Sequence, residues 1–325
     1  MTATHAIRIH EYGGPEVLTW EQIELPEVGP GQALIRHTAI GLNYIDTYHR
    51  SGLYPLAELP AVLGCESAGV VEAVGADVEH VAVGDRVAEG TASGAYSERR
   101  VLGAEHLVRL PNEIADEQAA AIMLKGLTAR MLLRQTHHVE PGDVVLIHAA
   151  AGGVGTILCP WAKALGATVI GTAGTDEKAA MAAANGCDHT IVYTRESFAE
   201  RVAEITEGNG VRVVYDGVGK ATFDESLECL GHNGLMASFG NASGAVEPFS
   251  ILRLLPKGLF LARPSMSSEI IPGEGLREAA AELFGAVASG IVTPTIGTRF
   301  PLAEVAEAHR SLESRSTTGS TVLLP

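Results

Sequence analysis

Three glycines, Gly152, Gly153 and Gly155, stand between an apolar run and a helix-forming segment. The run Val144–Ile147 is short and contains no polar residue, which is typical of a strand buried on both faces of a parallel sheet. Glycine lets the backbone approach a pyrophosphate closely, and the helix that follows offers free N–H groups and a positive dipole end. The spacing, with Ala150 in place of the first glycine of G-x-G-x-x-G, therefore predicts a site for the phosphates of a dinucleotide.

The next segment distinguishes NADPH from NADH. In the NAD form of this motif, a carboxylate at the end of the second strand binds the ribose 2′-hydroxyl group. Here the strand predicted over residues 168–171 runs into residues 172–175 without an acidic residue. The next charged residues, Asp176, Glu177 and Lys178, lie at the start of the following helix, and Lys178 could reach a 2′-phosphate. Tyr193, which ends the strand predicted over residues 190–193, adds a hydroxyl group at the same edge. The sequence favours NADPH, and the missing acid counts for more than the single lysine, since most lysines are solvated.

These residues belong to the second of two patterns along the chain. The first part is rich in β-branched residues and turn signals, which predicts an irregular β domain. Its predicted strands are residues 6–8, 18–24, 33–40, 69–74, 86–88 and 95–101. A helix is predicted over residues 117–134.

Beyond Asp143 the pattern alternates. Strands are predicted near residues 144, 168, 190, 212, 235 and 259, with helices between them, the first from about Gly153 to Leu165. Six such strands predict a doubly wound parallel sheet. Two helices, over residues 276–289 and 302–314, and a strand over residues 320–324 return to the β domain. The predicted domains are residues 1–124, residues 125–264 and the return over residues 265–325.

Composition limits the function classes. The chain has 325 residues, which is long enough for two domains of ordinary size. Because 46% of the residues are hydrophobic, we expect both domains to be folded and not disordered. A net charge of −16 argues against a surface for nucleic acid or anionic membranes. No apolar run is long enough to cross a membrane, and the N-terminal segment lacks the pattern of a signal peptide. Four cysteines without paired spacing suit reduced thiols, so we expect a cytoplasmic protein.

A series of short segments carries a family resemblance. They are residues 13–18, 41–48, 50–55, 125–129, 148–155, 213–219, 238–241 and 313–315. Because these segments occur together and in this order, the chain resembles the medium-chain dehydrogenase/reductase superfamily, and within it the zinc-free NADPH:quinone oxidoreductases. The resemblance implies an α/β fold, with a doubly wound parallel Rossmann sheet inserted in a GroES-like irregular β domain. It also implies a homodimer formed by edge strands of the nucleotide-binding sheets.

The resemblance further implies residue roles. Facing the nicotinamide are Asn43, Tyr44, Ile45, Asp46, Thr47 and Tyr48. The nicotinamide side and the pyrophosphate are held by Thr128, Gly152, Gly153, Val154 and Gly155. The 2′-phosphate is held by Gly174, Thr175, Lys178, Tyr193 and Arg315. The groove is completed by Val218, Phe239, Gly240, Asn241, Ser243, Arg263, Pro264 and Ser265.

The sequence departs from the zinc enzymes of this superfamily. Asn43 stands in the place of a catalytic cysteine, Gly64-Cys65-Glu66 replaces a Gly-His-Glu, and no C-x-x-C spacing occurs. Cys65 and Glu66 without a third soft ligand make a poor zinc site, so no bound metal is expected. Cys65 is predicted to be a small buried thiol.

Without a Lewis acid, the substrate itself must spread the incoming charge. Quinones and α,β-unsaturated carbonyls do so, which favours transfer of reducing equivalents from nicotinamide C4 to a quinone. Asn43 and Tyr48 are expected to orient the carbonyl and the nicotinamide carboxamide, with the proton coming from Tyr48 or water. Two alternatives stay open: an NADPH-dependent enoyl or 2-alkenal reductase, and a nonenzymatic NADPH-binding protein similar to the lens crystallins of this family.

Overall fold

The structure is a computed structural model that describes residues 3–314 and 317–325. Arg315, predicted to hold the 2′-phosphate, lies outside the described residues. The strands are Ala3–Ile9 (β1), Thr19–Glu24 (β2), Gln32–Leu42 (β3), Ala61–Val62 (β4), Ser67–Val74 (β5), Arg86–Glu89 (β6), Arg99–Gly103 (β7), Val108–Arg109 (β8), Val144–Ile147 (β9), Thr168–Ala173 (β10), His189–Val192 (β11), Val211–Asp216 (β12), Leu230–Ser238 (β13), Phe260–Ala262 (β14), Ile296–Pro301 (β15) and Ser320–Leu324 (β16). The α-helices are Tyr44–Ser51 (α1), Asp116–Met131 (α2), Gly155–Ala164 (α3), Asp176–Ala184 (α4), Phe198–Ile205 (α5), Phe223–Cys229 (α6), Met266–Glu269 (α7), Glu274–Ala288 (α8) and Val305–Glu313 (α9).

The chain divides into two units. The first comprises residues 1–127, 270–288 and 294–325, and the second comprises residues 128–269 and 289–293. The boundaries lie within five residues of those expected from the sequence, at 124 and 264. The short segment 289–293 belongs to the second unit, whereas the sequence assigned it to the return.

The first unit is built on two β-sheets. One has the order β2-β1-β4, and the other has the order β15-β16-β3-β5-β6-β8, with β7 also paired to β3. Strand β15 was not predicted, because Gly297 and Pro301 weaken its pattern; it forms by parallel pairing with β16. The strand expected over residues 95–101 begins only at Arg99, in β7. Before it, the backbone makes other contacts: Tyr96 accepts a hydrogen bond from the Ile7 N–H at 2.8 Å, and Ser97 forms a single bridge with Ala6 of β1.

The second unit confirms the predicted doubly wound sheet. Its six parallel strands have the order β11-β10-β9-β12-β13-β14. Strands β9 and β12 are neighbours at the point where the order reverses, and ligands of such sheets bind at the carboxyl ends of the strands there. Apolar residues of α5 and α6 cover one face of the sheet, among them Phe198, Val202 and Phe223. Within the described residues, no helix is long and apolar enough to span a bilayer.

Candidate functional site

The loop after β9 has no room for side chains where the sequence predicted a phosphate site. A Cβ atom on Gly155 would lie 2.5 Å from the carbonyl oxygen of Ala149 and 2.6 Å from that of Ala150. Ala149 itself takes a left-handed backbone conformation with φ of 52°, and its carbonyl accepts a hydrogen bond from the Gly152 N–H at 2.8 Å. Helix α3 begins at Gly155, two residues later than expected. In its first turn the Thr156 N–H donates to the carbonyl oxygen of Gly152 at 2.9 Å and the Ile157 N–H to that of Val154 at 3.0 Å, so the start of the helix favours a pyrophosphate mainly through its positive dipole end.

The end of β10 carries no carboxylate, as the sequence indicated. After Ala173, the backbone of Gly174 lies against Tyr193, since a Cβ atom on this glycine would be 2.9 Å from the tyrosine hydroxyl oxygen. Thr175 caps helix α4, and its hydroxyl oxygen accepts a hydrogen bond from the Lys178 N–H at 3.2 Å. Gly174, Thr175, Lys178 and Tyr193 are thereby brought together at one edge of the second unit.

Arg195 is a further cation at this edge that sequence reasoning missed. Its guanidinium group forms two hydrogen bonds with the Asp176 carboxylate, at 2.8 and 2.6 Å. This pair offsets the charge of the acidic residue next to Thr175. The signal in the sequence was weak, because Arg195 lies 19 residues from its partner and lone exposed arginines are common.

The loops after β12 and β13 are tied to each other. The Ser243 hydroxyl group donates to the carbonyl oxygen of Val218 at 2.8 Å and accepts from the Ala221 N–H at 2.9 Å. Phe239 lies over Gly217, where a Cβ atom would be 2.9 Å from its ring. Ser243, which the sequence placed in the cofactor groove, therefore uses its hydroxyl group to connect the two loops.

Arg263 supports the same region from β14. Its Nη1 donates to the carbonyl oxygen of Ser238 at 2.8 Å and to that of Gly240 at 3.3 Å. Ser265, two residues on, shares a hydrogen bond of 2.8 Å with Ser267. The predicted groove residues 239–243 and Arg263 are thus joined by direct contacts at the carboxyl end of the sheet.

Helix α1 in the first unit carries the predicted nicotinamide-facing residues. Tyr44, Tyr48 and Tyr54 form an aromatic cluster, in which the rings of Tyr48 and Tyr54 meet edge to face at 5.1 Å. The Tyr44 hydroxyl group donates to the carbonyl oxygen of Leu312 at 3.1 Å, and the Thr47 hydroxyl group donates to that of Tyr44 at 2.7 Å. The helix is therefore held firmly against its own unit, with tyrosines along one side.

Asp46 does not fit the role that the sequence gave it. Its side chain is fully buried and accepts hydrogen bonds from the Asn43 N–H at 2.8 Å and the Tyr96 hydroxyl group at 2.9 Å. Burial raises the pKa of Asp46 from 3.8 to about 7, although both hydrogen bonds lower it. A carboxyl group used inside the unit in this way is not available for a direct side-chain contact with a cofactor.

A longer hydrogen-bonded chain continues from Asp46. The Tyr96 hydroxyl oxygen lies 3.1 Å from His309 Nε2, and His309 Nδ1 lies 2.9 Å from Arg50 Nη1. Arg50 also binds the Glu313 carboxylate through two hydrogen bonds, at 3.0 and 2.7 Å. Burial, with the charge of Arg50 beside it, lowers the pKa of His309 to about 3. Neutral His309 therefore accepts from Arg50 and donates to Tyr96, which fixes its tautomer.

Asn43 is bound from its other side by a buried ion pair. Glu66 Oε2 accepts hydrogen bonds from Asn43 Nδ2 at 2.8 Å and from Lys125 Nζ at 2.7 Å. All three side chains are buried. Glu66 and Lys125 were not assigned a role from the sequence, because they are 59 residues apart and neither belongs to a spacing motif.

The donor set around Cys65 does not suit zinc. Within the described parts of the chain, no three side chains among His, Cys, Asp and Glu are grouped as a metal would require. Cys65 is buried, as predicted, with its Sγ 3.9 Å from His49 Nδ1. Burial raises the pKa of this thiol, which disfavours the thiolate form that binds metals.

Both units match known families. Residues 29–112 match the alcohol dehydrogenase GroES-like domain, and residues 153–283 match the zinc-binding dehydrogenase family. This confirms the GroES-like domain and the Rossmann sheet expected from the sequence. A GroES-like domain with such an insertion defines the medium-chain dehydrogenase/reductase superfamily.

Three relatives narrow the class. A quinone oxidoreductase of Pseudomonas aeruginosa is 52% identical over 321 residues, covering 98% of this chain and 99% of that protein. A 2-haloacrylate reductase of Burkholderia sp is 47% identical over 325 residues, covering 98% of each. The crystal structure of Escherichia coli quinone oxidoreductase complexed with NADPH superimposes with a TM-score of 0.96 at 47% identity, covering 99% of this chain and 100% of that chain. The chain belongs to the quinone oxidoreductase family of this superfamily.

Proposed function

We propose that this protein is an NADPH-dependent quinone oxidoreductase that works without a metal ion. The observation that carries the proposal is the end of β10, where Gly174 and Thr175 meet Tyr193 and Lys178 and the first two residues after the strand are not acidic. The next carboxylate, Asp176, is bound by Arg195. A 2′-phosphate finds cationic and hydroxyl partners there, whereas a ribose 2′-hydroxyl finds no acidic acceptor. The similarity to quinone oxidoreductases over the whole chain supports the choice of acceptor.

The second unit fits the phosphates of NADPH. Gly155 lets the start of α3 pack directly against the carbonyl groups of Ala149 and Ala150, where a Cβ atom would clash, and the N-terminus of α3 favours negative charge. We assign the pyrophosphate to Gly152, Gly153, Val154 and Gly155, and the 2′-phosphate to Lys178 and its neighbours, including Arg195. When bound, NADPH supplies the reducing equivalents at C4 of its nicotinamide ring.

Tyr48 is proposed to act on the acceptor. Its phenol is a hydrogen-bond donor and can deliver a proton to a quinone oxygen, directly or through water. Tyr54 packs against the Tyr48 ring and limits its rotation. The remaining cofactor contacts are proposed from their place in the family pattern. They are Thr128 and the groove residues Val218, Phe239, Gly240, Asn241, Ser243, Arg263, Pro264 and Ser265.

Metal independence follows from the donor set. Asn43, Cys65 and Glu66 stand where the zinc enzymes carry cysteine, histidine and glutamate, and the amide of Asn43 and the carboxylate of Glu66 are bonded to each other. A quinone delocalises the charge that it receives, so it needs less Lewis-acid help than a simple ketone.

The test is steady-state oxidation of NADPH against a panel of quinones, enones and aldehydes. We expect turnover with quinones, slower turnover or none with simple aldehydes, and a lower KM for NADPH than for NADH. Tight NADPH binding without oxidation by any quinone or enone would instead support the nonenzymatic binder.

A reductase of activated carbon–carbon double bonds is the second candidate. The relative named 2-haloacrylate reductase, at 47% identity over 98% of both chains, favours it specifically. The enone arm of the panel distinguishes the two, because a higher kcat/KM for enones than for every quinone would replace the first candidate by the second.

We also propose a homodimer formed through the β14 edge of the second unit. Ile251, Leu252 and Leu255 are 71–76% exposed, and Phe260 on β14 is 60% exposed. These side chains lie on and just before the last strand of the sheet order, whose outer edge can pair with another strand. A second copy of the chain offers the same edge and the same apolar side chains, as a two-fold interface requires.

A cytoplasmic location completes the proposal. All four cysteines are free and buried, which suits a reducing compartment.

A further inference from the structure

Glu66 has the contacts of a residue that orients its neighbour. Besides Asn43 and Lys125, its carboxylate accepts a hydrogen bond at Oε1 from the Leu124 N–H, at 2.8 Å. A Cβ atom on Gly41 would lie only 2.1 Å from Oε2. The carboxylate is thus held by three donors and packed against bare backbone, which leaves it little freedom to move.

The chemistry of this contact fixes the direction of the Asn43 amide. A carboxylate has no proton and can only accept, so Asn43 must turn its NH₂ group toward Glu66. The same NH₂ group also donates, more weakly, to the carbonyl oxygen of Gly41 at 3.4 Å. A ligand that forms a hydrogen bond with this amide must therefore donate it to Oδ1.

We propose that Glu66 and Lys125 are positioning residues that hold Asn43 as a hydrogen-bond acceptor. Its ligand partner is then a donor, such as the carboxamide NH₂ group of nicotinamide, and not the carbonyl oxygen of the quinone. The identity of this partner rests on the proposed function, whereas the orientation of the amide rests on the contacts of Glu66 and on the capping box of α1, in which the Asn43 side chain accepts from the Asp46 N–H. Asn43 orients the cofactor, and the acceptor carbonyl is left to Tyr48.

Lys125 has a distinct part in this arrangement. It places a positive charge 2.7 Å from a carboxylate that has no exposed surface. A buried carboxyl group without a cation takes up a proton, because burial disfavours the charged form. Protonated Glu66 keeps an acceptor oxygen but gains an O–H donor, so it no longer restricts the Asn43 amide to one orientation, and the NH₂ group can turn toward the ligand.

Other charged groups lie near Glu66 and Lys125. Because they also affect the charge of Glu66, they are kept the same in the wild-type protein and in all variants. Asp46 on α1 interacts with both Glu66 and Lys125. Arg100 on β7 pairs with Glu89 on β6 at 2.7 Å, and both act on Cys65 beside Glu66. None of these residues is altered in the variants below.

The first experiment uses Lys125→Met, which keeps the length of the side chain and removes the charge. We expect kcat with a quinone to fall about tenfold near neutral pH, the effect of one hydrogen bond, and to recover as pH rises and Glu66 ionises. The Kd for NADPH should change by less than about threefold, because the phosphate contacts are intact. Lys163→Met removes a lysine from an exposed pair with Asp188 and should leave the pH profile unchanged.

A second measurement does not depend on turnover. The side-chain ¹⁵N–¹H resonances of Asn43 should shift with pH in Lys125→Met, at the same midpoint as kcat, and stay constant over that range in Lys163→Met. If wild-type protein does not oxidise NADPH with any acceptor, the proposed function fails and these resonances still test the orientation. Resonances and pH profile identical to those of Lys163→Met would overturn the inference.

If Lys125→Met does not fold, the double variant Glu66→Gln/Lys125→Met is measured in its place. This pair contains no buried charge, and the glutamine amide can accept or donate. The Asn43 amide then loses its single orientation, so kcat should fall about tenfold at every pH with little change in NADPH affinity. Full activity in this double variant would show that the orientation has no effect on the reaction.

Discussion

Replacement of Asp46 by asparagine should remove a pH-dependent part of the free energy of unfolding. The carboxyl group of Asp46 is fully buried, and burial raises its pKa from 3.8 to about 7. Asparagine keeps an acceptor oxygen for the hydrogen bonds from the Asn43 N–H and the Tyr96 hydroxyl group, and it carries no charge. The two proteins therefore differ mainly in whether this position titrates.

The raised pKa determines the sign and the size of the effect. Between pH 3.8 and about pH 7 the folded protein keeps a proton on Asp46 that the unfolded chain releases, so rising pH destabilises the fold in this window. The loss is complete above the folded pKa. At 1.36 kcal/mol per pKa unit, wild-type protein should lose about 2.5 kcal/mol more than Asp46→Asn between about pH 5 and about pH 8.

The assay is urea unfolding followed by circular dichroism at several pH values. His37 and His309, whose pKa values burial lowers to about 3, destabilise the fold as pH falls below 6.5, but they do so in both proteins and cancel in the difference. Asp77→Asn alters an exposed residue and serves as the control. Parallel stability curves for wild-type protein and Asp46→Asn would refute the reasoning.

Three further results are expected. Lys178→Ala should weaken NADPH binding about tenfold in fluorescence titrations and leave NADH binding nearly unchanged, because only NADPH has a 2′-phosphate; equal losses would remove the basis for the cofactor choice. Leu255→Glu places a charge on a side chain that is 75% exposed, and light scattering should then report a monomer where wild-type protein forms a dimer; an unchanged mass would place the interface elsewhere. Elemental analysis should find much less than one zinc per chain, with activity unaffected by chelators; a full equivalent whose removal abolishes activity would contradict metal independence.

The second unit was the most predictable part of the fold. Its strands are short apolar runs such as Val144–Ile147, buried on both faces, and such runs differ clearly from the helices between them. The close backbone approach at Gly155 could also be anticipated, because it depends on the absence of a side chain and not on a distant partner; the phosphate site assigned to this loop stays a prediction. Local chemistry was sufficient in both cases.

The first unit was less predictable because distant residues determine it. Strand β15 pairs with β16 in the described structure, and the residues just before β7 bond instead to β1, about 90 positions earlier in the chain. Glu66 binds Asn43 from 23 residues further along the chain, and Lys125 binds Glu66 from another 59 residues on. No periodicity or spacing motif encodes such pairs, so the sequence indicated Asn43 without the residues that orient it.

The separation of Tyr96 from His309, 213 residues further along the chain, has a consequence for biosynthesis. When the ribosome has made the N-terminal strands, β3 still lacks β16, and the polar side chains beneath α1 still lack α9. The inserted nucleotide unit, whose strands pair only with one another, can complete its folding on the nascent chain first. The inserted unit can therefore form before α9 and β16 have been synthesised, whereas the first unit needs both to complete its contacts.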